Sequence, residues 1–372
     1  MILHLANDYA GSTVYKNLTL NLDNLGVSQM VYVPLRNPLL KDKNRVTFKS
    51  PESKILYRPI LSFYTRIDHK AKKNRILKDI NDKVDITPIT FIHAHTWYSD
   101  GAIALDLYKK HGVPYIVTVR NTDLNLFYKY MIHLRALGME ILKEAEQIIL
   151  ISPRSKLRMS LILKNSSRSG LISKLMVIQN GVDPFWIKNW TGKKELINSP
   201  VELIYIGGFN KNKNVDSILN AYKILKYEGI DLRLNLVGDS TNSRLKQINK
   251  DDENIVFHGF LKNKNKVSDL LRKSDIFVMP SHSETFGLVY VEALSQGVPV
   301  VYTKGEGIDG FYDSSIGESV DSNNLESITN GIRKIILNYA LYNFNSKKIA
   351  ENHDWNTISK QYLNIYESVS SK

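Results

Sequence analysis

Short apolar runs, separated by longer stretches of mixed character, recur along nearly the whole chain. Met1–Ala6, Gln29–Val33, Thr90–His95, Tyr115–Val119 and Gln147–Ile151 come first. After a polar break follow Leu203–Ile206, Arg233–Val237, Ile255–His258, Ile276–Met279 and Val298–Tyr302. Runs this short and this continuously apolar read as strands buried on both faces, and the stretches between them read as helices. The alternation predicts parallel sheets covered by helices on both sides. Two junctions share a pattern, HGVPYIVT (His111 to Thr118) and QGVPVVYT (Gln296 to Thr303). In each, Gly ends a helix and Pro holds the next residues extended, which suggests two halves of like architecture.

The break is FWIKNWTGKKELINSP, Phe185 to Pro200, which is polar and has no sustained period. It predicts a linker, with one domain over 1–190 and a second over 191–350. The last residues, 351–372, are expected to form a helix with Trp355, Tyr362, Leu363, Ile365 and Tyr366 on its apolar face, packing towards the first domain. A chain of 372 residues fits two cores, because single cores stop growing at roughly 250–300 residues.

Composition narrows the setting. With no cysteine, the chain has neither a disulfide framework nor a thiolate metal site, and a cytoplasmic location is expected. The start, MILHLANDYA, reads as a first buried strand rather than a signal peptide. The net charge of +13 is unevenly distributed: residues 1–190 hold 28 Lys and Arg against 15 Asp and Glu, and the remainder is balanced. The excess is densest from Lys41 to Lys83, where YTRIDHKAKKNRILKDI (Tyr64 to Ile80) reads as a basic helix with interspersed apolar positions. Such a helix suits an anionic membrane surface, here the inner face of the cell membrane; a plain solvated face is the competing reading. Arg154, Lys156, Arg158, Lys164, Arg168 and Lys174 form a second basic group.

The segment SHSETFGLVYVEALSQGVPVVYT, Ser281 to Thr303, carries the most chemistry. A strand ends near Met279-Pro280, a loop carries Glu284, and a helix begins near Gly287 and stops at Gly297. A helix start exposes amides that suit a diphosphate, and Gly287 lets that backbone approach closely. Glu292, one turn beyond Leu288, could accept hydrogen bonds from sugar or ribose hydroxyls. The two acids are expected to flank one cleft. Elsewhere, His93 and His95 are expected on opposite faces of their strand, so no metal role is assigned to them. Asn180-Gly181 reads as a turn and Asp183-Pro184 as a helix start.

Taken in order, FIHAHTWYSDGA (Phe91 to Ala102), GVPYIVT, VIQNGVDPF (Val177 to Phe185), LIYIGGFNKNKNVDSILNAY (Leu203 to Tyr222), LVGDS (Leu236 to Ser240), VFHGFL (Val256 to Leu261) and the Glu-x7-Glu segment resemble retaining glycosyltransferases of the GT-B fold, glycosyltransferase family 4. The resemblance implies an α/β protein of two Rossmann-like domains with parallel sheets facing across a cleft and a C-terminal helix crossing back to the first domain. It implies a nucleotide sugar, UDP- or GDP-linked, as donor, and no other cofactor. By it, Glu284 contacts the donor sugar, Glu292 the ribose, and the amides of Gly287 and Leu288 the phosphates, with Phe286 and Leu261 beside them. Lys213 neutralises the departing diphosphate, and Gly11 and Ser12 form the glycine-rich loop after the first strand. The chain departs from the family at two positions. Gly208 stands where an arginine is usual, with Lys211 near enough to compensate, and Arg120 stands where a histidine is frequent. A guanidinium stays protonated and cannot act as a base, but it can bind a donor sugar or an anionic acceptor.

The chain contains no Asp-x-Asp, so metal-independent catalysis by Glu284, Lys213 and Arg120 is expected. The implied activity is retaining hexosyl transfer to a glycan or lipid-linked acceptor in bacterial surface polysaccharide synthesis. A nucleotide-sugar epimerase of the same architecture is the alternative. A nucleic-acid-binding protein is a weaker one, since no fingerprint of that class accompanies the basic half.

Overall fold

The computed structural model describes residues 1–239 and 252–370, so Ser240 of the LVGDS motif lies outside the described residues. Two parallel sheets organise the chain. The first comprises β1 (Ile2–Leu5), β2 (Gln29–Pro34), β3 (Lys54–Arg58), β4 (Phe91–Ala94), β5 (Tyr115–Val119), β6 (Gln147–Leu150) and β7 (Leu175–Val177), in the order β3-β2-β1-β4-β5-β6-β7. The second comprises β8 (Val201–Ile206), β9 (Leu232–Val237), β10 (Ile255–Gly259), β11 (Ile276–Met279), β12 (Val300–Thr303) and β13 (Gly317–Val320), in the order β10-β9-β8-β11-β12-β13. Every pairing is parallel, so helices must carry the chain back between strands. Both sheets reverse strand order once, at β1/β4 and at β8/β11. Ligands of open α/β sheets bind at such a point, beyond the carboxyl ends of the strands.

Ten strands match the apolar runs. The other three, β3, β7 and β13, lie at sheet edges and carry exposed or partly exposed positions; β3 and β13 include charged residues, and β7 spans only three residues.

Residues Met1–Ile151, Ser155–Asn180 and Trp355–Lys372 form one compact unit, and Ser152–Arg154 with Gly181–Asp354 form another. Apart from the short excursion at 152–154, the chain passes between units at 180/181 and 354/355 rather than at the expected 190/191 and 350/351. The stretch expected as a linker begins inside the helix Pro184–Lys188, which is capped by Asp183 and anchored by buried Trp186 in the second core. The C-terminal helix Trp355–Ser370 belongs to the first unit. Its Trp355, Ile358, Tyr362, Ile365 and Tyr366 pack with Leu18, Leu22, Phe91 and Ile116.

Two further expectations are corrected. His93 and His95 share a face, with ring centroids 3.8 Å apart, because strand residues two apart return to the same side. The basic helix runs over His69–Lys83, preceded by a short turn at Tyr64–Arg66. Its Ile76 and Ile80 are buried in the first core and Leu77 packs against them, so the apolar positions of the helix are already used internally.

Candidate functional site

In the second unit, the loops after β8, β11 and β12 come together at the switch point. After β8 the chain passes through Gly207 and Gly208 to a turn at Lys211–Lys213, whose start is capped by the Asn210 side chain accepting from Lys213 N. Asn212 ties this turn to the loop after β11: its side chain accepts from Ser283 N at 3.1 Å and donates to Ser283 O at 2.8 Å, and its carbonyl accepts from His282 N. Lys213 Nζ is thereby placed 2.5 Å from Glu284 Oε2, an ion pair with both side chains largely shielded from solvent. Glu306, from the loop after β12, accepts from Glu284 N at 2.9 Å and from Ser283 Oγ at 3.3 Å. Gly307 N closes the arrangement on Glu284 O.

The helix Leu288–Ser295 begins beside this pair. Gly287, its N-terminal boundary residue, has φ +77° and no side chain caps the first amides. A Cβ there would lie 2.5 Å from the Tyr290 ring and 3.0 Å from Glu284 Cγ, so only glycine fits. An uncapped helix start carries roughly half a positive charge and free N–H donors, which suit an anion. Phe286 is buried against Phe311 and His353, and Leu261 is partly buried on the same core; both side chains act first as packing. Lys211 is exposed on its turn.

Glu292 does not share the environment of Glu284. Burial pushes its carboxyl up to about 7, helped by the nearby Asp183, while Lys264 and a hydrogen bond from Trp186 pull the other way. The two acids of the eight-residue spacing therefore serve different surroundings, one paired with a lysine and one held by an indole.

In the first unit, Gly11, Ser12 and Arg120 lie beyond the carboxyl ends of β1 and β5. Gly11 closes the turn Tyr9–Gly11, where a Cβ would come within 2.7 Å of Asp8 Oδ1. Ser12 caps the helix Thr13–Asn24 by accepting from Val14 N. Arg120 lies over the Tyr15 ring, 5.1 Å from its centroid, with Nε donating to His95 O at 3.2 Å and an η nitrogen donating to Asn180 Oδ1 at 3.3 Å. Its backbone is fixed by buried Asp123, which accepts from the amides of Arg120, Trp97 and Tyr98 at 2.9, 3.0 and 3.2 Å. Burial raises the Asp123 carboxyl, and these three amides and the Arg120 charge oppose that rise.

Asp100 is similarly buried. It accepts from Asn7 N and Thr96 Oγ1, and burial raises its carboxyl while the Lys72 charge opposes. Lys72 is buried in turn, donates to Ser99 Oγ at 3.0 Å, and is shifted down by that burial. His4 pairs with His95 through Nδ1 and Nε2 at 3.0 Å, and His93 bridges Thr118 Oγ1 and Tyr366 OH at 2.9 and 2.7 Å. The nitrogens of the three rings lie within 4.8 Å of one another, and burial holds all three imidazoles neutral.

Sequence reasoning missed Glu306, Asn212, Asp100, Asp123 and Lys72. Glu306 and Asn212 follow strand ends, where loop residues of this fold collect, but nothing local distinguishes them from other polar loop residues. Asp100 and Asp123 carry no local signal of their role, which burial and their amide partners reveal.

Two doubly wound units, one presenting a lysine–glutamate pair and an uncapped helix start at its switch point, define a GT-B protein with a site suited to an anion. A model for glycosyl transferases group 1 matches residues 187–352, and one for glycosyltransferase family 4 matches residues 11–185. The chain belongs to this family of glycosyltransferases. It is 26% identical over 327 residues to an uncharacterized glycosyltransferase of Methanocaldococcus jannaschii, covering 84% of each chain. Over 109 residues it is 34% identical to an uncharacterized 41.2 kDa protein in the cps region of Klebsiella pneumoniae, covering 29% of each. Sucrose-phosphate synthase from Thermosynechococcus elongatus has the same fold, with a TM-score of 0.75 at 16% identity over 100% of this chain and 99% of that one.

Proposed function

We propose that this glycosyltransferase moves a hexosyl group from a UDP- or GDP-linked sugar to a glycan or lipid-linked acceptor, with retention of configuration and without a metal ion, in bacterial surface polysaccharide synthesis. The observation that carries the reading is the Lys213–Glu284 pair, 2.5 Å apart and next to the open helix start at Gly287. Each member of the pair is a group that a nucleotide sugar needs and holds the other until one arrives. The donor diphosphate takes Lys213 and the amides of Gly287 and Leu288, which releases the Glu284 carboxylate to accept from sugar hydroxyls. Glu292 accepts from ribose.

As the bond from the anomeric carbon to the phosphate oxygen breaks, negative charge develops on that oxygen and Lys213 stabilises it. The acceptor hydroxyl forms the new bond on the same face and passes its proton to the departing phosphate oxygen. This accounts for retention where Arg120, a permanent cation, replaces a residue that could titrate. The relative from a cps region supports the polysaccharide context.

A melting-shift panel of UDP-, GDP- and ADP-sugars, followed by transfer assays with the donor that shifts most, tests the reading. Stabilisation by one class of nucleotide sugar and metal-free transfer are expected. An epimer formed from the donor alone, or no shift with any donor, would overturn it.

A further inference from the structure

The apolar positions of helix His69–Lys83 face the core, yet the turn before that helix does the opposite. Phe63, Tyr64 and Ile67 are 73%, 60% and 79% exposed, three large apolar side chains within five residues. Soluble surfaces scatter such residues singly, so a group of this size marks an interaction surface. The turn is held in place: Thr65 is buried and its hydroxyl donates to Ser62 O at 2.6 Å, Tyr64 OH donates to Asp68 Oδ2, and Asp68 caps the helix by accepting from Ala71 N. The three side chains are therefore presented by an ordered scaffold.

Two arginines flank them. Arg66 belongs to the turn itself. Arg36 follows Leu35, whose carbonyl accepts from Leu61 N at 3.0 Å, so it emerges beside the same loop. The two like charges repel, and among the described residues neither Arg36 nor Arg66 is in an ion pair. Of the other cations nearby, Arg58 is bound to Asp79, Lys73 to Asp106 and Lys72 to Ser99, while exposed Lys70 adds a further positive charge beside the turn. Arg36 also lies just past the end of β2, at the carboxyl-end edge of the sheet where Gly11 and Arg120 sit.

We propose that this tip docks the first unit on an anionic bilayer, with Phe63, Tyr64 and Ile67 entering the interface and Arg36 and Arg66 contacting lipid phosphates. Phenyl, phenol and branched aliphatic groups suit the boundary between head groups and acyl chains, and unpaired guanidiniums suit a negative surface. Exposure this high favours a bilayer over a single soluble amphiphile. The contact goes beyond the transfer reaction and does not depend on it.

Co-sedimentation with vesicles of phosphatidylcholine, with and without phosphatidylglycerol, tests the proposal. The full chain should bind the anionic vesicles and release them as salt rises. Phe63→Ser with Ile67→Ser should lower binding about tenfold or more. Arg36→Ser and Arg66→Ser should each lower binding to anionic vesicles about fivefold and leave any binding to neutral ones unchanged. Melting shifts with nucleotide sugars, read on the same variants, should match wild type, which confirms that they are folded and separates this proposal from the transferase reading. Equal vesicle binding by the Phe63/Ile67 variant and wild type would overturn it. So would full competition by glycerol phosphate, which would mark a site for small soluble anions.

Discussion

The carboxyl-end edges of the two sheets use charge differently. In the second unit, the central charges are side chains paired with each other across loops: Lys213 from the turn after β8 meets Glu284 from the loop after β11, and Glu306 holds the backbone of that loop. In the first unit, the central acids are buried and spend their oxygens on backbone amides and the Thr96 hydroxyl. Asp123 binds three of these amides, and Asp100 binds Asn7 N. A paired charge can exchange its partner for a ligand, whereas a charge tied to amides fixes a loop and keeps Arg120 where it is. On the proposed function, the second edge trades contacts with a donor, and the first holds a shape.

Five substitutions test that contrast. The largest effect is expected from Lys213→Ala and Glu284→Ala, each lowering transfer about a hundredfold or more with the far-ultraviolet spectrum unchanged. Near-normal turnover by either would remove the exchanging pair from the mechanism. Next, Asp123→Ala should cost about 3 kcal/mol in a denaturant titration, because three buried amides lose their acceptor at once. A loss no larger than at an exposed site would mean that the loop does not depend on it.

Glu292→Gln should reveal a pH dependence. Burial lifts this carboxyl from 4.5 to about 7, so between those values the folded chain holds a proton that the unfolded chain has released. Lowering the pH through that window favours the folded state. The variant should therefore melt above wild type at about pH 8, with the difference closing towards about pH 4. Donor affinity of wild type should fall from about pH 8 to about pH 6 as the carboxylate is protonated, and the variant should show a flat profile. A wild-type profile as flat as the variant's would argue against a hydroxyl-binding carboxylate.

The smallest effect is expected from Gly208→Arg. A Cβ there meets only Asn210 Nδ2, at an ordinary 3.6 Å, so the larger residue can be accommodated. The added cation should tighten donor binding a few-fold, with stability changed by less than about 0.5 kcal/mol. Unchanged affinity would show that Lys213 and the helix amides already satisfy the diphosphate.

The alternation of apolar runs placed ten strands, and the Gly-Val-Pro junctions marked two matching ends of helices. Both signals arise from local chemistry, continuous apolarity and backbone restriction, which do not need a partner to be read. The edge strands escaped because β3 and β13 mix charged with apolar residues and β7 spans only three residues. The placement of His93 and His95 on one face required only the two-residue repeat of a strand, applied in the right sense.

Motif order brought Lys213, Glu284, Gly287 and Glu292 into view, because a diphosphate and a sugar demand a cation, an acid and an open helix start. The tertiary structure alone decided how they are used. It paired Glu284 with Lys213, set Glu292 against Trp186, and added Glu306 from a third loop. It also turned Ile76 and Ile80 inward while leaving Phe63, Tyr64 and Ile67 outside. The sequence by itself determined the parallel α/β architecture and the residue types of the site, since these follow from spacing along one chain. Partner choice, burial and the surface left exposed depend on which distant loops meet, and that is settled only when the sheets bring their strand ends together.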